Sequence, residues 1–236
     1  MSKVPDERHP NSPLVEVVFE VRFPGETVIE SRRHEIQEIV RAEFPNLLVP
    51  RVEAGMAVSL EPFRFEKQDG SAGVMVSINR FGYYCRAYPG FDRFSAECLR
   101  VMDLLGSIVP IRRLNRIGLR HINIIPFLRE DDLVPFSYFF ELGDKMLESL
   151  PGGIENISMA FALSGGGGKI TTRIESITRT DGSQEAFLLD FDYAKEGELT
   201  FGQVRDYLKE AHDRSADLFH RLITPNYRDY IKGEEI

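Results

Sequence analysis

Two aspartates offer the clearest opportunity for chemistry in this sequence. Asp190 and Asp192 lie two residues apart in a segment, 185–193, whose apolar and polar residues alternate as in a strand. Both carboxylates are therefore expected on one face of that strand. Such a pair can hold a divalent cation or act as acid and base, and a small metal-dependent hydrolase would need His121 to converge on it. A charged, exposed strand face gives the same pattern and is more common, so the aspartates are weak metal candidates.

Arginines at even positions of a second strand-like segment suggest an anion site. Arg116 and Arg120 lie on one face, with Arg112 further along, and arginine makes bidentate contacts with phosphate. The competing interpretation pairs these arginines with Glu20 and Glu16. Ion pairs are favoured, because 37 acidic residues outnumber 29 basic ones and the net charge is −8.

A tyrosine-rich run offers the best predicted binding patch. Tyr84, Arg86 and Tyr88 alternate with Tyr83 and Cys85, which predicts two tyrosines around one arginine on a single strand face. This combination can stack on bases or on planar ligands. Tyrosines that cover a sheet face or an oligomer contact give the same pattern. The candidate ligand-binding residues are Tyr84, Arg86, Tyr88, Arg116, Arg120 and His121.

The glycine-rich run, the cysteines and the histidines do not match the spacing of known phosphate or metal sites. The glycine-rich run 164–169 lacks the spacing of a phosphate loop and predicts a hairpin connection. Cys85 and Cys98 do not have metal-ligand spacing, and no histidine pair has the i, i+4 spacing of a zinc-binding helix. His121 is expected to be a hydrogen-bonded structural histidine. The sequence predicts no metal, no cofactor and no catalytic constellation.

The elements that carry these residues occur in the same order twice: strand, helix, short strands, helix. Thr27 and Thr200 each begin a T-x-x-E/Q capping box at a helix start. The predicted elements cover 15–23, 27–44, 52–88 and 94–108 in the first half, then 111–125, 136–150, 157–193 and 200–222. The last helix is expected to bury Val204, Leu208, Ala211, Leu218, Phe219 and Leu222.

The duplicated order predicts an α+β fold. We expect a pseudo-twofold repeat of strand-helix-meander-helix, which forms one curved antiparallel sheet with helices on one face. A single domain is predicted over 13–236, after an exposed arm of residues 1–12. It contains repeats 13–110 and 111–225 and ends in a short C-terminal tail. The topology resembles the saddle of the TATA-binding protein fold.

The first strands of the two repeats are expected to be antiparallel neighbours at the centre of the sheet, because a pseudo-twofold axis must pass between equivalent elements. Glu16 would then lie near Arg120, and Glu20 near Arg116. Opposite charges that face each other across a strand pair stabilise it.

Two motifs carry a resemblance to a known family. The chain has NSPLVE at 11–16 and RIGLRHIN at 116–123. It is similar over most of its length to a sporadically distributed family of uncharacterised bacterial proteins with N-x-P-[LI]-V-E and R-[IV]-G-L-R-x-[IV]-N signatures. The resemblance implies a bacterial, cytoplasmic setting and assigns no chemistry.

These observations favour a binding or interaction protein, without an evident catalytic site, that works as a homo-oligomer. Its partner would be a protein or a small ligand. Nucleic-acid binding on the concave sheet face is the first alternative, although the net charge disfavours it. A small metal-dependent hydrolase is the second. No apolar run approaches the roughly 18 residues of a membrane helix, and residues 1–12 lack a secretory pattern, so we expect a cytoplasmic protein with no membrane partner.

Overall fold

The computed structural model describes residues 9–50, 62–150, 152–178 and 184–233. The strand predicted over 52–60 lies outside these ranges. The strands are β1 (Leu14–Arg22), β2 (Asn46–Leu48), β3 (Phe63–Glu66), β4 (Ala72–Ser77), β5 (Arg80–Cys85), β6 (Leu114–Pro126), β7 (Ser158–Gly165), β8 (Gly168–Thr178) and β9 (Glu185–Leu199). The helices are α1 (Val28–Ser31), α2 (Arg33–Val40), α3 (Phe91–Ile108), α4 (Phe136–Phe139), α5 (Leu142–Ser149), α6 (Val204–Leu222) and α7 (Pro225–Lys232), with a 3-10 turn over Phe201–Gln203.

The strands form one antiparallel sheet in the order β2-β3-β4-β5-β1-β6-β9-β8-β7. This order is palindromic about the β1–β6 pair, because each half of the chain adds its meander outward from its own first strand. The predicted α+β fold with a duplicated strand-helix-meander-helix order is confirmed, and the two first strands are neighbours at the centre of the sheet.

The chain divides into two compact units. Unit 1 comprises Met1–Val15, His121–Tyr193 and Ala211–Ile236, and unit 2 comprises Glu16–Arg120 and Ala194–Glu210. The division falls inside β1, β6, β9 and α6, whereas the predicted repeats meet between α3 and β6. None of the helices in the described ranges is long and apolar enough to cross a membrane.

The core of unit 2 follows the predicted strand alternation. Val17, Phe19 and Val21 of β1 are buried on one face. Tyr83 of β5 packs against Phe94 of α3, with ring centroids 5.7 Å apart. Apolar rings therefore hold α3 on the same meander that carries the predicted Tyr84 patch.

The core of unit 1 is a phenylalanine cluster around Phe187 of β9. The ring centroids of Phe127, Phe136, Phe139 and Phe140 lie 4.4 to 5.8 Å from that of Phe187. Three of these four rings come from α4 or the residue after it. The cluster therefore fixes the position of this short helix.

Two predicted helices are broken. The helix predicted over 27–44 is divided at Arg32 into α1 and α2. Thr27 already has helical backbone angles, and its hydroxyl makes no capping hydrogen bond, because a capping residue needs an extended backbone. The helix predicted over 136–150 is interrupted at Phe140, which is extended and forms a bridge with Ile223. Tertiary contacts override the helical pattern there.

The prediction for the last helix and the C-terminal tail is partly wrong. The capping box at Thr200 is present, and α6 is long, with Val204, Leu208, Ala211 and Leu222 buried, whereas Leu218 and Phe219 are half-buried. The predicted short tail contains helix α7. Thr224 caps this helix, Pro225 occupies its first turn and left-handed Gly233 ends it, which are the usual start and stop signals.

Candidate functional site

The predicted Tyr84 patch is filled by its own ion pairs. Tyr84 is fully buried, and its hydroxyl donates to Glu66 at 2.5 Å. Arg86 contacts the carboxylates of Glu16 and Glu66 at 3.1 and 3.2 Å and lies 5.1 Å from the centre of the Tyr84 ring. Burial, together with the hydrogen bond to Glu66, raises the pKa of Tyr84. The tyrosine and arginine that were expected to receive a ligand therefore bind each other and two glutamates.

Glu20 is the centre of a second group of ion pairs in unit 2. Its carboxylate lies 2.6 Å from Arg22, 3.5 Å from Arg80 and 3.2 Å from Arg116. The predicted Glu20–Arg116 pair is thus present. The Arg116 guanidinium lies over Gly118, where a Cβ would meet its Nη1 atom. The glycine of the R-[IV]-G-L-R run therefore makes room for this ion pair.

The structure also gives the positions of Glu16, Tyr88 and Arg112. Glu16 lies one residue before the β1–β5 register pair Val17–Cys85, which explains why it meets Arg86. Its predicted pairing with Arg120 stays a prediction. Tyr88 packs against Phe94 of α3 at 5.6 Å, as Tyr83 does, so it does not share a patch with Tyr84. Arg112 is exposed and precedes β6.

We use the name glutamate–arginine face for the residues of these two groups in unit 2: Glu16, Glu20, Arg22, Glu66, Arg80, Tyr84, Arg86 and Arg116. Their described contacts join positive guanidinium groups to negative carboxylates. This pairing gives the face a structural role.

His121 is buried against His212 of α6, with ring centroids 6.3 Å apart. Within the described residues its Nδ1 atom has no hydrogen-bond partner, so the expected hydrogen bond at that atom is absent. Burial lowers the pKa of His121 to about 3, and the nearby His212 contributes in the same direction. His121 is therefore neutral at physiological pH, and its low pKa does not suit a general base.

The two aspartates do not converge with His121. Asp190 is buried and Asp192 is half-buried, so the predicted exposed carboxylate face is wrong at Asp190. They alternate with Phe191, which packs against Phe219 of α6 at 6.4 Å, and His121 also faces α6. The aspartates consequently lie on the opposite face of the sheet from His121. The described residues contain no group of three or more His, Cys, Asp or Glu that could hold a metal ion.

The residues that enclose a cavity in unit 1 were not among the predicted site residues. This tyrosine cleft has a volume of about 440 Å³ and lies between the arm before β1, the end of β6, α4 and α7. An adjoining recess of about 290 Å³ shares Pro126, Tyr138, Phe139 and Gln184 with it. None of the described lining residues of the cleft is charged. Its principal lining residues are Val15, Ile124, Tyr138, Phe139, Tyr227 and Tyr230.

Four aromatic rings form one wall of the tyrosine cleft. Tyr138 contacts Phe139 edge-on at 4.9 Å, and Phe139 contacts Tyr227 edge-on at 5.0 Å. Tyr227 stacks on Tyr230, with ring centroids 6.0 Å apart. Tyr138 and Tyr230 at the two ends of this chain are nearly half exposed, so their rings are open to a ligand. Burial raises the pKa of Tyr227, which keeps that hydroxyl protonated.

Hydrogen bonds hold α4 and α7 together at the cleft. The Thr224 hydroxyl donates to the Tyr138 carbonyl at 2.7 Å and accepts from the Tyr227 amide at 3.2 Å. The Thr224 amide donates to the Phe139 carbonyl at 3.0 Å. One capping residue therefore sets the separation of Tyr138 from the ring pair on α7.

The N-x-P motif builds the other rim of the cleft. The Asn11 amide group donates through Nδ2 to the Tyr230 carbonyl at 2.8 Å, and its backbone amide donates to the Ile231 carbonyl at 3.2 Å. The Pro13 carbonyl accepts from the Ile124 amide at 2.9 Å. The motif thus ties the arm to α7 and to β6. Val15, which continues the apolar alternation of β1, is 41% exposed here instead of buried.

A smaller apolar recess, about 290 Å³, lies between α2 and β3 in unit 2. Arg33 covers part of it, 4.2 Å from the centre of the Phe63 ring. The tyrosine cleft is the better candidate because it is larger, uncharged and built by a sequence motif. The signals that could have located it were the Thr224-Pro225 helix start and the exposed end of the β1 alternation.

No protein-family model matches this sequence, and no curated protein is similar to it. The resemblance carried by the two motifs stays a prediction. The candidate site therefore depends on geometry alone.

Proposed function

We propose that this protein is a non-catalytic binding protein that holds a small, uncharged, planar ligand in the tyrosine cleft of unit 1. The observation that supports this function is a cavity of about 440 Å³ with four connected aromatic rings and no charge among its described lining residues. Ligand pockets typically have volumes of about 300 to 1,000 Å³ and are mostly apolar with a few polar groups.

The chemistry of the lining defines the ligand class. A charged ligand would lose its hydration against proline and tyrosine rings without gaining an opposite charge, which is costly. A planar ligand gains from stacking on the open rings of Tyr138 and Tyr230. Polar atoms of Ser12 and Gln184 at the rim supply hydrogen bonds that orient it.

The geometry gives less support to the alternatives. The arginines expected to bind nucleic acid include Arg86 and Arg116, and both are in ion pairs with glutamates. A metal-dependent hydrolase would need Asp190, Asp192 and His121 to meet, and they lie on opposite faces of the sheet. A binding role needs neither arrangement.

The proposal includes a cytoplasmic setting and a homo-oligomer. Cys85 and Cys98 are buried and neither forms a disulfide, as is common for proteins of reducing compartments. Strand β7 of unit 1 lies at one end of the described sheet. Its outward-facing backbone groups can form hydrogen bonds with another strand, which supports self-association.

Binding of an uncharged planar dye, Nile red, tests the function. The fluorescence of this dye rises and shifts to shorter wavelength in an apolar site, so a fluorescence titration measures its binding. Tyr138→Ala and Tyr230→Ala should each weaken binding by about tenfold, the lower end of the effect of removing one stacking ring.

Leu48→Ala is the matched control, because Leu48 has the same exposure as Tyr138 and lies in unit 2. It should bind the dye as the wild type does. Mass spectrometry of small molecules released from the natively purified protein would then identify the ligand. Equal dye affinity in both tyrosine variants and the wild type would refute the proposed site.

A further inference from the structure

Strand β7 ends the sheet on the side of unit 1. It pairs with β8 over its whole length, from Ser158–Glu175 to Gly165–Gly168, and it is the last strand of the sheet among those that the structure describes. The outward-facing amides and carbonyls of β7 can therefore accept another strand.

The geometry of the β7–β8 hairpin determines which backbone groups of β7 point away from β8. A two-residue turn, Gly166–Gly167, joins β7 to β8, and both glycines have positive φ angles of 62° and 74°, as in a type I′ turn. The closing pair Gly165–Gly168 is hydrogen-bonded in such a turn, and hydrogen-bonded pairs alternate along an antiparallel ladder. The amides of residues 158, 160, 162 and 164 therefore point away from β8.

Strand β7 lacks the features that usually protect an edge strand. Its sequence, SMAFALSG, contains no charge and no proline, and its register with β8 is continuous without a bulge. The edge strand at the other end of the sheet, β2, has only three residues. Protected edges are short, charged, bulged or interrupted by proline.

An apolar row on β7 is incompletely covered. Met159, Phe161 and Leu163 lie opposite Ile174, Thr172 and Ile170 of β8. The three β8 residues are buried, whereas every residue of β7 is exposed or half-buried. A further strand at this edge would continue the apolar row and cover it.

We propose that β7 pairs antiparallel with β7 of a second copy of this chain, about a twofold axis at Phe161. This register keeps the apolar row on one face and uses the outward amides in both copies. It places Phe161 opposite Phe161, Met159 opposite Leu163, and Ala160 opposite Ala162. The absence of charge removes the like-charge repulsion that a self-paired strand would otherwise have. The inference rests on the proposed homo-oligomer and is independent of the cleft ligand.

Sedimentation over a hundredfold range of protein concentration tests the interface. The wild type should form a dimer. Ala162→Lys should raise the dimer dissociation constant at least tenfold, because the twofold axis brings the two lysines to diagonal positions on one face of the new strand pair, where like charges repel. Ala162→Pro should act similarly, because it removes an amide that points outward and leaves the β7–β8 ladder intact.

Thr171→Lys is the matched control. Thr171 is the exposed cross-strand neighbour of Ala162 on β8, one strand further from the edge, so this variant should dimerise as the wild type does. Circular dichroism spectra should be alike for all the variants, and each variant should still unfold cooperatively, which separates loss of the dimer from loss of the fold.

Disulfide trapping tests the register. Residues of a non-hydrogen-bonded pair have Cα atoms about 4.5 Å apart, within the range of a disulfide. With diamide as the oxidant, Phe161→Cys should give a covalent dimer, whereas Ala160→Cys, which faces residue 162 of the second copy, should give much less. Native Cys85 and Cys98 are buried and should not react.

The outcomes separate this interface from the wider proposal. A wild type that is monomeric over the whole range would overturn both the homo-oligomer and the β7 interface. A dimer that is insensitive to Ala162→Lys and is not trapped through Phe161→Cys would overturn the β7 interface alone. Nile red binding to the tyrosine cleft should be unchanged by Ala162→Lys.

Discussion

The glutamate–arginine face of unit 2 and the tyrosine cleft of unit 1 differ in the charge of the residues that form them. On the face of unit 2, Glu20 contacts three arginines and Arg86 contacts two glutamates. The cleft in unit 1 has aromatic walls and no charged side chain among its described lining residues. Charges that already pair with one another contribute little to the binding of a ligand. An uncharged cavity with exposed rings, in contrast, has apolar area that a ligand can cover.

Unit 1 also contains buried polar groups that bear on its stability. In unit 1, the described residues provide no hydrogen-bond partner for four buried polar atoms: Nδ1 of His121, Oγ1 of Thr172, Oγ of Ser215 and Nε of Arg228. A buried polar group without a partner costs stability. We therefore expect substitutions within the glutamate–arginine face to reduce stability, whereas removal of these polar atoms of unit 1 should be tolerated.

The largest expected effect is at Glu20. Glu20→Gln should lower the free energy of unfolding by about 3 kcal/mol, because three guanidinium groups would face a neutral amide in a partly buried place. Chemical denaturation measures this loss. Glu198→Gln is the matched control, since Glu198 is almost fully exposed and lies 3.8 Å from Arg113; it should change stability by less than about 0.5 kcal/mol.

A double variant sharpens the first prediction. Glu20→Gln combined with Arg116→Gln should cost less than the sum of the single changes, because the residues contact each other at 3.2 Å. Additive losses would mean that this ion pair does not stabilise the face, and the contrast with the cleft would fail.

Much of the sheet, and one ion pair of this face, could be predicted from sequence. Strict alternation in β1 and duplicated element order were enough to predict the sheet and the central β1–β6 pair, because both patterns are local or repeated. The Glu20–Arg116 pair followed from aligning the repeats.

The tyrosine cleft could not be predicted in the same way. It joins Asn11, Tyr138 and Tyr230, which are far apart in sequence, through hydrogen bonds from the Asn11 and Thr224 side chains to backbone carbonyls, which leave no periodic signal. The helix break at Phe140 likewise depends on its bridge to Ile223. Such contacts exist only after the chain has folded.

The second prediction concerns acid stability and His121. Its pKa falls from 6.5 to about 3 on folding, so the unfolded chain binds a proton more readily than the native one below pH 6.5. This contribution to stability is complete above about pH 6.5 and declines as the pH falls toward 3. Between pH 8 and pH 5 the loss should be about 2 kcal/mol.

Denaturation at several pH values measures the contribution of His121. His121→Leu should remove about 2 kcal/mol of the acid-dependent loss, whatever its effect on stability at pH 8. His34→Gln changes an exposed histidine on α2 and should retain the wild-type profile. An acid profile of His121→Leu identical to that of the wild type would contradict the burial of a neutral imidazole.

The smallest expected effect is a gain in stability at Thr172. Its side chain is fully buried on β8 between Ile170 and Ile174, and its hydroxyl has no hydrogen-bond partner within the described residues. Thr172→Val keeps the branched shape and removes the costly hydroxyl, so the free energy of unfolding should rise by about 1 kcal/mol. For a chain of this size, the melting temperature should rise by about 2 to 4 °C.

Thr171→Val, at the exposed neighbouring position, should change stability by less than about 0.5 kcal/mol. A loss of about 1 kcal/mol or more at Thr172 would mean that a buried water molecule satisfies the hydroxyl. The expected gain from removing this hydroxyl would then be wrong, and the difference between the units would be confined to the glutamate–arginine face and the tyrosine cleft.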